Sequence, residues 1–456
     1  MRLSLLKLLK PIKAYQRFSK SNKKNFSLIY YSIIIGVFVG IVGTVFRIVL
    51  SYLESLRSQL YKNIANEAYS NWIWIIIFSI ISVAIALYLV KHFARETSGS
   101  GVQEIEGALD DVRELRWKRV LPIKFIASFF SLGSGLLLGR EGPTIQMGGN
   151  IGKMVKDIFK QPEFKTNPFI SAGAAAGLAS AFNAPLAGIV FVIEELHGHF
   201  KHTFFTVAAI MVASGTADLV VRAFIGVAPV IKMKIYHSTE LSSIWLFVVL
   251  GIIFSLIGYL FNKLLISGLD FFGGLSKIGI VTSILILGTT IALLGMFFPG
   301  FVGGGYATIR AALDQSLSLQ FLLVLFIGRL LLTVFSYGVG VPGGIFAPLL
   351  ALGVVLGMLF GNIIQVLFPG YVSDPGVFAL AGMAGIFAAT VRAPLTGLVL
   401  AVEMTSNFEM ILPLIITTVI ASVITAELGN EPIYSTLLKR GRKKSKKENI
   451  NWSHLN

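Results

Sequence analysis

Three carboxylates of this chain stand among apolar residues. Glu141 lies within Gly139-Arg140-Glu141-Gly142-Pro143, and Glu194 and Glu195 close the apolar run Leu186–Ile193. An ionisable side chain at membrane depth is expensive, so each is a functional candidate by default. Three glycine-rich breaks accompany them: Gly99-Ser100-Gly101, the segment around Glu141, and Gly340-Val341-Pro342-Gly343-Gly344-Ile345-Phe346-Ala347-Pro348. Each is poor helix interior followed by a plausible helix start, and proline is tolerated in a first turn because its N–H is not needed there. At such a start unpaired N–H groups and the positive end of the helix dipole converge. Several starts aimed at one spot make an anion site without placing a full positive charge in it. The plainer reading, glycines permitting tight helix crossing, suits any one break; three together favour an anion pathway. In its unwound turn, the Glu141 carboxylate, or equally a halide displacing it, can be cradled by N–H groups. Such a side chain can gate and carry a proton at once. A carboxylate such as Glu194 or Glu195, near the membrane boundary, can pass protons between water and the interior.

The elements that must position these groups are membrane helices. Of 456 residues, 55% are hydrophobic and 14% charged, too few charges for a soluble domain. The apolar runs Leu28–Phe46, Trp72–Val90, Ile244–Phe261, Gly279–Phe297 and Met410–Ala426 are continuous, whereas barrel strands alternate over about 10 residues. Cysteine is absent, which excludes disulfides, thiolate metal sites and a Cys nucleophile. The six histidines are scattered, with only His197 and His199 close together, so neither a metal centre nor any other cofactor is expected. Most of the net charge of +16 lies in two tails: Arg2, Lys7, Lys10, Lys13, Arg17, Lys20, Lys23 and Lys24 at one end, and Lys439, Arg440, Arg442, Lys443, Lys444, Lys446 and Lys447 against Glu448 at the other. Short basic tails stay on the cytoplasmic side, which puts both termini inside and makes the number of crossings even. Met1–Lys13 reads as an amphipathic helix on the inner leaflet; Lys7 and Lys10 interrupt the apolar stretch that a secretory signal needs. Nucleic-acid binding by the basic tails is not expected without a folded soluble domain.

An internal repeat organises the chain. Gly133–Gly152 lies over Gly338–Gly357 at an offset of 205, matching Gly133/Gly338, Gly135/Gly340, Gly139/Gly344, Pro143/Pro348, Gly148/Gly353 and Gly152/Gly357. Ala172–Glu194 lies over Ala381–Glu403 at an offset of 209, and Gly99 and Gly101 fall on Gly303 and Gly305 at 204. The expected plan is a basic segment with an interfacial helix (1–26), two transmembrane repeats (27–225 and 226–430), and a C-terminal segment with Tyr434 and a basic tail (431–456). With both ends on one side, each repeat crosses an odd number of times and the second is inverted, which places the site near mid-membrane between them. Glu194 and Glu403 recur in both halves and read as helix packing or capping. Glu195 has Met404 at its repeat position, and that asymmetry makes it the better functional candidate.

These segments resemble the CLC family of chloride channels and chloride/proton antiporters over about residues 30–440. The matches are GSGVQEIEGAL (99–109), GREGPTIQMGGNIG (139–152), FNAPLAGIVFVIEE (182–195), GGIFAPLLALG (343–353), RAPLTGLVLAVEMT (392–405) and Tyr434 in EPIYSTLL. The resemblance implies an all-α polytopic fold of two inverted repeats with tilted, broken helices, in a homodimer with one pathway per subunit. It implies that Ser100 and Tyr434 supply hydroxyl ligands to a central anion and that the N–H groups of Ile345 and Phe346 complete that site. Arg140, Glu141 and Gly142 then surround an outer anion position, with Glu141 the external gate and Glu195 the internal proton-transfer residue that typifies antiporters. Ser100 favours chloride over nitrate. Gln103 stands where the first motif often has proline, leaving Ser100 in place while altering the turn.

The expected function is therefore transport and not enzyme catalysis: chloride moves in exchange for protons across a cell inner membrane, with the bilayer and a second copy of the chain as partners. A passive voltage- or pH-gated chloride channel on the same fold is the alternative. A sodium-coupled symporter would share broken helices and inverted repeats but needs a larger pocket. A fluoride/proton exchanger is disfavoured by the Ser100 and GREGP pattern. The 22 residues after Tyr434 are too few for the paired CBS domains many relatives carry, so nucleotide regulation there is not expected.

Overall fold

The computed structural model describes residues 2–65, 71–161, 167–196, 203–236, 241–314, 317–371 and 374–442, with side chains from Phe26 onward. His197, His199, Lys443, Lys444, Lys446, Lys447 and Glu448 lie outside the described residues, as do the side chains of the basic N-terminal segment. Among the described residues there are seventeen α-helices and no β-strand. The first half holds α1 (Arg2–Ala65), α2 (Trp72–Phe93), α3 (Val102–Leu109), α4 (Trp117–Gly133), α5 (Glu141–Ile158), α6 (Asn167–Phe182), α7 (Pro185–Glu195) and α8 (Phe204–Ile225). The second holds α9 (Ile244–Gly274), α10 (Lys277–Phe297), α11 (Tyr306–Asp314), α12 (Leu319–Gly338), α13 (Phe346–Leu367), α14 (Gly376–Val391), α15 (Pro394–Thr405) and α16 (Ile411–Glu427), followed by α17 over 433–442.

Four of the five apolar runs read from the sequence fall within single helices and the fifth begins one residue before α16; eight helices of the described residues are long and apolar enough to cross a membrane. Their outer faces carry exposed Ile41, Trp74, Phe78, Leu256 and Leu285, a pattern that only a lipid surrounding makes cheap. The basic segment departs from the expected separate interfacial helix: its backbone runs without interruption into the first span. Residues 12–35 contain neither glycine nor proline, so nothing in the backbone forces a break between them.

The repeat reappears in the packing. α5 packs on α6 as α13 packs on α14, α1 on α8 as α9 on α16, and α4 on α5 as α12 on α13. These four Gly/Ala-rich helices, α5, α6, α13 and α14, form the buried centre. Gly148 lies against the backbone of Gly173, and its counterpart Gly353 against that of Gly382, so closely that a Cβ on any of the four would collide. Small residues here replace the hydrophobic effect as the means of bringing helices together, since lipid offers apolar side chains no gain on burial.

Inversion is written in hydrogen bonds. Glu194, at the C-terminal end of α7, accepts from the N–H groups of Leu395 and Thr396 at the start of α15, at 2.9 and 2.7 Å. Glu403, at the C-terminal end of α15, accepts from those of Leu186 and Ala187 at the start of α7, at 3.1 and 2.7 Å. Each helix is capped by its counterpart, which requires that the two run antiparallel. Gly139 and Gly344, equivalent by the offset of 205, likewise exchange two N–H to carbonyl bonds at 2.7 Å in an antiparallel bridge.

Candidate functional site

All three breaks open helices, and they meet. α3 starts at Val102 after Gly101, whose φ of +87° is a conformation glycine adopts without strain. α5 starts at Glu141, with Pro143 in its first turn, and α13 at Phe346, with Pro348 in its first turn. Gly99 donates to Val341 O and accepts from Gly343 N, both at 3.0 Å, stitching the first break to the third. The Gly139 and Gly344 bridge stitches the second to the third. Gly344 approaches the N–H of Gly142, and a Cβ on Gly142 would collide with Ser100 Oγ. The N-termini of three helices thus surround one small volume.

The Glu141 side chain is fully buried there. Its Oε1 accepts from Tyr306 Oη at 2.7 Å. Its Oε2 lies beside Gly139 Cα, close to where the Ala347 N–H of α13 opens, and the carboxylate faces the amides of Glu141 and Ala347. Arg140 stacks on the Tyr306 ring, 4.8 Å from guanidinium carbon to centroid, and Arg47 and Glu54 are within electrostatic reach. Of the eight residues singled out in the sequence, this end of the site brings together Arg140, Glu141 and Gly142.

Ser100 and Tyr434 are both fully buried, and among the described residues neither Ser100 Oγ nor Tyr434 Oη has a hydrogen-bond partner. Two buried hydroxyls face each other beside the start of α13, where Ile345 caps the helix and Phe346 opens it, so that their N–H groups have no partner within the helix. Hydroxyl donors and free amides, with no acid among them, form a donor set suited to a small anion. Tyr434 lies over the Phe346 ring at 6.1 Å, in an aromatic cluster with Phe191 and Phe387. It is within electrostatic reach of both Glu141 and Glu195. Gln103, the departure from the family motif, accepts from Gly101 N at 3.1 Å and closes the turn in place of a proline. Glu195 ends α7, and its Oε1 is buried without a hydrogen-bond partner among the described residues. Its charged neighbours are Glu106, Glu194 and Arg392.

Four residues important to this geometry were not singled out in the sequence. Lys124 of α4 is fully buried and donates to the carbonyls of Thr97, Gly99 and Ser100 at 2.9, 2.8 and 3.2 Å. Arg329 of α12, also fully buried, donates to the carbonyls of Gly300 and Gly303 at 3.0 Å and to Thr308 Oγ1 at 2.8 Å. The two are equivalent by the offset of 205, so each repeat clamps its own glycine loop with a buried cation. Among the described residues neither cation forms an ion pair. Tyr337 accepts from Ser100 N at 3.3 Å and supports that loop from behind. Tyr306 follows Gly303-Gly304-Gly305, the counterpart of Gly99-Ser100-Gly101, so extending the repeat by one residue would have pointed to it.

The chain has relatives among known proteins and solved structures. The family model described as voltage gated chloride channel matches residues 82–426. The chain is 44% identical to the H(+)/Cl(-) exchange transporter ClcA of Vibrio campbellii over 93% of its length and 92% of that protein's. It is 42% identical to the ClcA of Vibrio parahaemolyticus, covering 96% and 94%. Among solved structures, a slow cyanobacterial Cl-/H+ antiporter superposes with a TM-score of 0.88 at 39% identity, covering 91% of this chain and 97% of that one. A CLC-type fluoride/proton antiporter shares the fold alone, with a TM-score of 0.72 at 22% identity, covering 88% and 95%. Two inverted repeats, broken helices converging between them and a family match over three quarters of the length lead to one assignment: this chain belongs to the voltage-gated chloride channel, or CLC, family.

Proposed function

We propose that this chain is a chloride/proton antiporter, with Glu141 as external gate and proton carrier and Glu195 as internal proton-transfer residue. The activity is carried over from the ClcA exchangers and the cyanobacterial antiporter that the chain resembles along nearly its whole length. The residue roles rest chiefly on one observation: the Glu141 carboxylate lies where the N-termini of α5 and α13 meet, the environment an anion would take. While ionised, the carboxylate competes with chloride for those N–H groups. Protonation removes its charge and with it most of the attraction, so the side chain yields and chloride advances. Chloride then rests between Ser100, Tyr434 and the amides of Ile345 and Phe346. A proton arriving from the cytoplasm enters through Glu195 and passes the Tyr434 region, the group within reach of both carboxylates. The buried cations Lys124 and Arg329 add a positive potential around the site while remaining one layer away, bound to carbonyls.

The basic residues near both ends support cytoplasmic termini, and Glu141 is proposed to face the outer side of a cell inner membrane. A homodimer with one pathway per subunit follows from the family assignment, and no enzymatic activity is proposed. In liposomes, Glu141→Gln is expected to abolish coupled proton movement and leave chloride flux. Glu195→Gln is expected to slow proton movement more than chloride movement. Undiminished proton coupling in both variants would contradict these roles.

A further inference from the structure

We infer that Tyr306 is a latch on the Glu141 carboxylate, a positioning residue that sets how readily the gate yields its place to chloride. The inference rests on the reading of Glu141 as the gate. Tyr306 Oη is 2.7 Å from Glu141 Oε1 and is the one side-chain donor to that carboxylate among the described residues. The other oxygen, Oε2, is the one lying beside Gly139 and the Ala347 amide. The hydroxyl therefore grips the carboxylate from outside the cradle of N–H groups instead of forming part of it.

The donor is held in place from two sides. Tyr306 opens α11 immediately after Gly303-Gly304-Gly305, and that loop is clamped by Arg329 through the carbonyls of Gly300 and Gly303. Arg140, the residue preceding the gate, stacks on its ring at 4.8 Å. A donor fixed beforehand loses little freedom on bonding, so most of the bond strength is available to hold the carboxylate. Donation to an ionised oxygen is also about twice as strong as donation to a neutral one, so the latch holds the charged gate and loosens on the protonated one.

The repeat argues that the hydroxyl is not there to support the scaffold. At the equivalent positions of the other half, Tyr306 corresponds to Val102 and Glu141 to Phe346, both apolar and fully buried. A glycine loop and a helix start are thus built there without the polar pair. The pair is confined to the gate half of the pathway, where a carboxylate must be both held and released.

Calorimetric titration of chloride into the purified full-length protein tests the inference. Tyr306→Phe keeps the ring on Arg140 and removes only the hydroxyl. It is expected to tighten apparent chloride binding about tenfold, the equivalent of one hydrogen bond to a charged group. Tyr306→Leu is expected to tighten it equally, whereas an effect from Leu alone would assign the role to ring packing and overturn the latch. In a Glu141→Ala background, which is itself expected to bind chloride more tightly than the parent, Tyr306→Phe is expected to change nothing; an undiminished tenfold effect there would overturn the latch. Chloride affinity unchanged or weakened by Tyr306→Phe alone, with Glu141→Ala still tightening it, would reject the latch and leave the gate standing. Affinity unaltered by Glu141→Ala itself would reject the gate, and the latch with it.

Discussion

At the scale of the residue, the site combines two kinds of positive potential. Helix N-termini supply partial charges where the proposed chloride would rest, and Lys124 and Arg329 supply whole charges behind them. Partial charges suit a pathway because a lysine ligand would hold a small anion too firmly for rapid flux. The structure keeps to that logic by binding each cation to backbone carbonyls, so that the charge is felt without becoming a ligand. Replacing Lys124 by methionine would orphan three buried carbonyls, at about 1–3 kcal/mol for each group left unsatisfied. Lys124→Met is expected to lower the melting temperature by several degrees and to weaken chloride binding. Unchanged values of both, measured on the purified variant, would contradict the clamp. These cations escape sequence reading for a physical reason. Their partners are main-chain oxygens, which every residue carries, so no complementary acid marks the pairing. Only the repeat betrays them, since Lys124 and Arg329 share the offset of Gly133 and Gly338.

At the scale of the element, the carboxylates divide by what the helix ends need. Glu194 and Glu403 each cap the first free N–H groups of the counterpart helix, which follow a proline at its first position. Glu195, one residue along, makes no such cap among the described residues. In Glu403→Gln one of the two α7 amides is left facing an NH2 group, and a loss of about 0.5–2 kcal/mol is expected. Thermal unfolding should therefore fall for Glu403→Gln and Glu194→Gln, while proton coupling per chloride stays intact. Loss of coupling without loss of stability would reverse the assignment. This division was legible beforehand because a residue repeated in both halves serves what both halves share, and Met404 in the place of Glu195 broke the symmetry. The helix starts at Val102, Glu141 and Phe346 were legible as well, because glycine and proline fix backbone directly. Tyr306 was not, since a single tyrosine among many apolar residues declares no partner until the fold brings Glu141 to it.

At the scale of the whole molecule, the two halves share one plan and differ where function requires. Shared are the glycine contacts at Gly148 and Gly353, the caps and the buried cations; unshared are Glu141, Tyr306 and Glu195. On the proposed reading, this two-fold scaffold carries a directional pathway, with Glu141 as gate toward one face and Glu195 as proton entry toward the other. Because the chain lacks cysteine, orientation can be read with single introduced cysteines. A cysteine placed next to Lys7 or Lys446 is expected to react with a membrane-impermeant reagent from the cytoplasmic side alone, and reaction from outside would invert the proposed direction. The central claim is coupled exchange. Its most direct test follows external pH around chloride-loaded liposomes holding the purified protein, with an imposed chloride gradient and the voltage clamped by potassium and valinomycin. Chloride efflux is expected to drive protons inward against their own gradient. Chloride movement with no accompanying proton flux would contradict it and make the protein a passive conductor.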